Sequence, residues 1–175
     1  MLAVCKDNKN KGDLTGSVGL LTSILVRYPE VATINFDPGK QLLRFTFIYA
    51  GILERKELDN LKATLLDSIE VYNLLEHKEI STISLQSQVY DNLTVIEVQR
   101  DVNTLVQEEI TLIVNLFHLY LNNNLITEED EQYFEEDLIA QEKIIGRMLA
   151  KMKSTNQDKY LFAFRQEGRV KVFDK

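Results

Sequence analysis

One pattern occurs twice in this chain. Two short segments alternate apolar and polar residues about a tight turn, and a long segment with apolar residues three and four apart follows. It spans residues 31–76 and recurs over 79–122. Alternation at period two specifies strands, and a period of about 3.6 residues specifies a helix. A chain that makes strand, strand, helix twice is committed to the α+β class. Hairpin strands pair antiparallel, and each amphipathic helix needs an apolar sheet face to cover. Identity between the two units is poor, so periodicity alone relates them, as a pseudo-twofold would.

In the first unit, Val31–Asp37 and Gln41–Tyr49 flank Asp37-Pro38-Gly39-Lys40, where Pro38 presets φ and Gly39 tolerates a positive one. Leu43, Phe45, Phe47 and Tyr49 share one face of the return strand, which is expected to meet helices. Gly51 ends that strand. The helix expected over 54–76 buries Leu58, Leu61, Leu65, Ile69 and Tyr72, with Leu66 and Leu75 widening the stripe.

In the second unit, Ile80–Tyr90 and Leu93–Arg100 turn at Asp91-Asn92. Ile83, Leu85 and Val89 share a face. The return strand is apolar on both faces, Ile96 and Val98 against Leu93 and Val95, the pattern of a doubly covered strand. The helix over 103–121 opens with the capping-box spacing of Thr104 and Gln107. It is apolar around most of its circumference, so it should sit centrally or meet another subunit.

Three segments flank these units. Leu14–Tyr28 reads as a helix with Thr15 or Ser17 as N-cap, stopped by Pro29. Residues 128–153 read as a third long helix, started by Thr127 and Asp130, with Phe134, Leu138, Ile145, Met148 and Met152 inside. A last hairpin, 159–173, turns at Gln166-Glu167-Gly168, and Ser154–Asp158 is a polar loop before it. Residues 1–13 are polar and expected to form a flexible arm. With 175 residues, 45% of them apolar, 14–175 can form a single domain with a sizeable core.

Charge is unevenly spread over a net −7. Residues 128–142 hold eight acids and no base, and residues 143–175 hold nine bases and three acids. On one helix that order matches acids to the positive N-terminal end and bases to the negative C-terminal end. The single cysteine, Cys5, cannot form an internal disulfide, and residues 1–14, short of apolar side chains, are not expected to act as a secretory signal. A cytoplasmic protein without a membrane partner is expected.

Reactive constellations are missing from the pattern. Cys5, His77 and His118 lie far apart, against the close spacing a zinc site needs. Glu131 and Glu135, one helical turn apart, could share a cation, but the acidic block has no glycine turn of a calcium loop. No nucleophile elbow or phosphate loop occurs. No catalytic residue, metal site or cofactor is assigned.

The leading expectation is therefore a non-catalytic protein interaction or assembly module, most simply a homo-oligomer. A first alternative is a small-molecule or enzymatic pocket between sheet and helices, into which Tyr49, Tyr72, His118 and Tyr120 would project polar tips. A second is RNA binding through the final hairpin. There Tyr160, Phe162 and Phe164 alternate along a face beside Lys159, Arg165, Arg169 and Lys171. The acidic whole-chain balance disfavours nucleic acid, and the simpler expectation turns those rings into the core.

Overall fold

The computed structural model describes residues 16–128, 134–153 and 159–174. The expected arm over 1–13, the proposed cap at Thr15, the acids Glu129–Glu131 and the loop Ser154–Asp158 lie outside the described residues. The elements are α1 (Ser17–Arg27), β1 (Thr33–Asp37), β2 (Leu42–Ala50), α2 (Arg55–Leu75), β3 (Ile83–Tyr90), β4 (Leu93–Asp101), α3 (Gln107–Leu121), α4 (Glu135–Met152), β5 (Leu161–Gln166) and β6 (Arg169–Asp174). The six strands form one sheet in the order β3-β4-β2-β1-β5-β6, antiparallel at every pairing. The α+β architecture of two ββα units with a C-terminal hairpin is thus what the chain adopts. The return strands β2 and β4 pair at the centre, as a pseudo-twofold between the units requires.

The period-two pattern decides which face is covered. Ile34 and Phe36 of β1, Leu43, Phe45 and Phe47 of β2, Ile96 and Val98 of β4, and Leu161 and Ala163 of β5 are all buried. These residues share the face on which α1, α2 and α3 lie, and Phe47 stacks on Phe117 of α3 with ring centroids 3.7 Å apart. The short α1 sits between the final strands and α4, which explains why Leu20, Leu21, Ile24 and Leu25 are all buried. α4 packs on α1 and α3, and Arg27 reaches from α1 to Glu142 at 2.6 Å.

Several local expectations change. β4 is covered on one face only: Ile96 and Val98 are buried, whereas Leu93 is exposed. α3 starts at Gln107, not at residue 103, because Thr104 is held by Asp101 in a preceding turn. Its apolar circumference is largely absorbed by the sheet, α2 and α4, leaving Leu119 and Tyr120 outside. α4 starts at Glu135 and not at 128, so Phe134 falls on extended backbone at the N-cap and is 79% exposed rather than inside. The N-cap of α1 is Gly16, without a side-chain cap, and Ser17 begins the helix. In the first hairpin the positive φ falls on Gln41, at 54°, and not on Gly39. Gln41 holds that conformation by donating from Nε2 to the Pro38 carbonyl at 2.8 Å. Gly51 does take a positive φ, 125°, where β2 ends. No helix among the described residues is long and apolar enough to cross a membrane.

The end of α2 shows how one backbone motif sets the next strand. The His77 N–H donates to the Leu74 carbonyl and the Lys78 N–H to the Asn73 carbonyl, the paired bonds of a Schellman motif. The motif requires a left-handed residue after the cap, and His77 fills that position at φ 56°. A side chain with a Cβ is disfavoured there. His77→Gly is therefore expected to raise unfolding stability by about 1 kcal/mol. The check is a shift of the urea midpoint at unchanged slope.

Candidate functional site

The four side chains proposed to line a pocket do not converge. The Tyr49 hydroxyl accepts from Asn124 Nδ2 at 3.0 Å, and Tyr120 shares a hydrogen bond with Thr64 at 2.9 Å. His118 Nε2 lies 2.7 Å from Glu30 Oε1, at a partly exposed position. Burial and the neighbouring carboxylates of Glu108, Glu76 and Glu109 raise the pKa of Tyr72. Between the sheet and α3, Phe47 stacks on Phe117. None of the four residues lines the open cleft beside Leu74 and Ile83 or the one beside Lys143 and Arg147.

The basic hairpin surface also divides. The residue parity that buries Leu161 and Ala163 turns Arg165 toward the helices. Its guanidinium donates to the carbonyls of Leu25 at 3.1 Å, Pro29 at 2.7 Å and Val31, and it lies 3.4 Å from Glu128. It clamps the end of α1 and is not a surface charge. Lys159 pairs with Asp174 at the far end of the hairpin from Arg169. Phe162, Phe164 and Phe173 lie on the uncovered sheet face, not in the core, with Phe164 stacked on Phe173 at 5.4 Å. Lys171 is paired across from Phe164 on that same face and donates to Gln166, and Arg169 precedes it by two residues.

A buried polar cluster lies outside every expectation drawn from the sequence. Arg100 and Glu109 are both 0% exposed. Arg100 Nε and Nη2 donate to the two Glu109 oxygens at 2.5 and 2.8 Å. Its Nη1 donates to the Thr82 carbonyl and Thr104 Oγ1, both at 3.0 Å, and to Asp101. Asn73 at the end of α2 donates to Glu109 at 2.7 Å. One cluster thus ties β4 to α3 and α2. The signal was present: residues 94, 96, 98 and 100 share a face, so Arg100 had to point inward and required a buried carboxylate.

Asp101 belongs to the same cluster. Burial pushes its pKa up, but donation from Thr82 and Thr104 and the charge of Arg100 outweigh this and hold the carboxyl below its ordinary value. Lys153 is lowered by burial and by the nearby Lys78 ammonium. The charges of the cluster are engaged in holding elements together, and no group of three or more potential metal ligands occurs among the described residues.

What the fold leaves unsatisfied is an edge. The outer strand β6 carries Arg169, Lys171 and Asp174 among its six residues. The opposite outer strand β3, Ile83-Ser84-Leu85-Gln86-Ser87-Gln88-Val89-Tyr90, carries no charge, proline or glycine over eight residues. Its register to β4 is unbroken from Ile83–Arg100 to Tyr90–Leu93, so no bulge twists the edge away. Beside it α2 exposes Val71 at 54% and Leu74 at 73%, and β3 exposes Val89 at 52%. A shallow cleft of about 500 Å³ joins the two elements, lined by Glu70, Asn73, Leu74, Lys78, Ile80 and Ile83 among others. Uncharged free edges with apolar flanks are strand-pairing sites.

Comparison with family models, curated proteins and solved structures finds no match to this chain.

Two outcomes test the buried cluster. Arg100→Met leaves Glu109 buried without its cation and is expected to cost about 3–5 kcal/mol in urea unfolding. Arg100→Met combined with Glu109→Leu should recover most of that loss, because both charges then leave the interior. Acid should act through Asp101. A carboxyl with a lowered folded pKa contributes stability fully above its unfolded pKa of about 3.9, and that stability is lost as pH falls through the folded value. Thermal stability should therefore fall below about pH 4, and Asp101→Asn should flatten that part of the profile.

Proposed function

We propose that this chain is a non-catalytic protein-interaction and assembly module, and that it works through the open edge of β3 and the adjoining face of α2. One observation carries the reading. The strand most exposed to pairing is the one edge without protecting charge, and large aliphatic side chains of α2 stand exposed beside it. The apolar excess of α3, which suggested assembly from the sequence, lends little support, since the fold itself covers that helix apart from Leu119 and Tyr120 at its end.

A homo-oligomer is the form of assembly proposed, and sedimentation velocity over the micromolar range tests it. Wild-type protein is expected to shift from monomer to a larger species as concentration rises. Leu74→Glu, which places a charge in the exposed stripe, is expected to weaken that shift by about tenfold. A monomer at every concentration would sink the reading.

RNA binding is a second reading, favoured by Phe162, Phe164 and Phe173 lying on the uncovered sheet face beside Arg169 and Lys171. Aromatic rings on a sheet face with nearby bases are a platform for unpaired bases. It predicts salt-sensitive binding of single-stranded oligouridine that Arg169→Glu abolishes. Binding that is unchanged in that variant, or no binding at low salt, removes it.

A further inference from the structure

We infer that the occupant of the β3 edge is the β3 edge of a second copy, paired antiparallel across a twofold axis so that one continuous sheet runs through both copies. The inference rests on the assembly reading above and adds its geometry.

Three observations lead to it. First, β1 and β3 are the outer strands of the two ββα units, related by the pseudo-twofold between β2 and β4. The outer edge of β1 receives an antiparallel strand, β5, from the chain's own C-terminal hairpin. The corresponding edge of β3 receives none among the described residues. Second, the chain carries net charge −7, so contact between copies is opposed wherever acids meet. A strand without charge opposes no like charges when it pairs with itself. Third, the size suffices. Eight residues at about 3.4 Å each give an edge about 27 Å long, and a strand layer with a helix above it is about 20 Å deep, so about 500 Å² per copy is covered. About 1,000 Å² in total reaches the lower range of specific interfaces.

The backbone also fixes the register. The Asp101 N–H donates to the Thr82 carbonyl, and Tyr90 and Leu93 flank a two-residue turn. Hydrogen bonds to β4 therefore fall on Thr82, Ser84, Gln86, Gln88 and Tyr90. Ile83, Leu85, Ser87 and Val89 point their N–H and C=O groups outward. An antiparallel twofold must match outward residues with outward residues, and the central solution sets Leu85 opposite Ser87 of the second copy. Ile83 then meets Val89 of the second copy on the helix side, twice, and joins two apolar side chains that the single chain leaves partly or largely exposed. On the open face, Ser84 meets Gln88 of the second copy, and Gln86 meets its own equivalent at a pair that makes no backbone bond. Leu74, which shares the cleft with Ile83, comes under cover with it.

The register makes the test specific. In a Cys5→Ser background, Gln86→Cys places two thiols at a non-bonded antiparallel pair, with Cα atoms about 4.5 Å apart and within disulfide reach. Mild oxidation should give a covalent dimer on a non-reducing gel. Gln88→Cys in the same background, opposite Ser84, should give little. Ser87→Pro removes an outward N–H and leaves the β3–β4 ladder intact, so a folded monomer is expected. Should that proline disturb folding by circular dichroism, Gln86→Lys sets two ammonium groups face to face on the axis. Either variant should raise the dimer Kd by about tenfold or more. Wild-type self-association that survives both variants, or cross-linking at Gln88→Cys and not at Gln86→Cys, overturns this geometry and leaves the assembly reading standing. Wild-type protein that stays monomeric throughout the micromolar range overturns both.

Discussion

Burial of one sheet face beneath three helices is the constraint on which the rest of this structure depends. Four adjacent strands present an apolar row on that face, from Ile96 and Val98 through Phe45 and Phe47 to Ile34 and Ala163. Each large side chain so covered contributes about 1.5–3 kcal/mol. Register follows, because a slip of one residue would turn every member of the row to the solvent face. Helix placement follows too. α3 settles where Phe117 can lie on Phe47, and α1 settles over the last hairpin, where Arg165 reaches up to its final carbonyls.

Arg100 is the residue that this constraint makes difficult. It belongs to the apolar row by parity, so folding takes its guanidinium out of water. The fold answers with Glu109 at the start of α3 and Asn73 at the end of α2, which places two helix ends over the same strand. A buried ion pair gains little over a well-packed apolar pair, yet it is costly to break. Its effect here is on position: α3 must begin within hydrogen-bond reach of the guanidinium, and α2 must end within reach of the same Glu109 carboxylate. The Schellman turn at His77 then starts the chain toward β3, so the free edge and the buried cluster belong to one corner of the molecule.

Periodicity made the fold class, the six strands and all four helices legible in the sequence, and the repeated pattern alone supplied four of those strands and two of the helices. Strong periodicity does this where one face is buried and the other is wet. The misreadings fall where periodicity and local chemistry compete. Thr104 has capping-box spacing to Gln107, but Asp101 offers it a better partner, so the helix starts later. Phe134 continues an apolar stripe in sequence, yet the helix begins only at Glu135 and leaves it outside. The alternation Tyr160, Phe162, Phe164 reads as a core face because rings usually go inside. The smaller Leu161 and Ala163 go inside instead, since α1 packs close over this hairpin. The site was less legible than the fold. The expected pocket side chains share polar tips, and polar tips find partners one at a time. A free edge has no residue signature at all. It exists only once the strand order is known.

That order explains why the two edges differ. Outer strands are a hazard to any open sheet, and charge is the common defence. β6 has that defence in Arg169, Lys171 and Asp174, and these residues face solvent or lie near it. β3 alternates Ser and Gln with aliphatic residues, so it is hydrophilic enough to stay in solution and uncharged enough to pair. Polar but uncharged side chains hydrogen-bond across a strand pair without setting like charges together. A sequence merely avoiding aggregation could place a single lysine at Gln86 or Gln88 at little cost, since both side chains are exposed on the uncovered face. Keeping eight residues free of charge in a chain that is 27% charged is more economically explained by a strand that has a partner than by one that must avoid all partners.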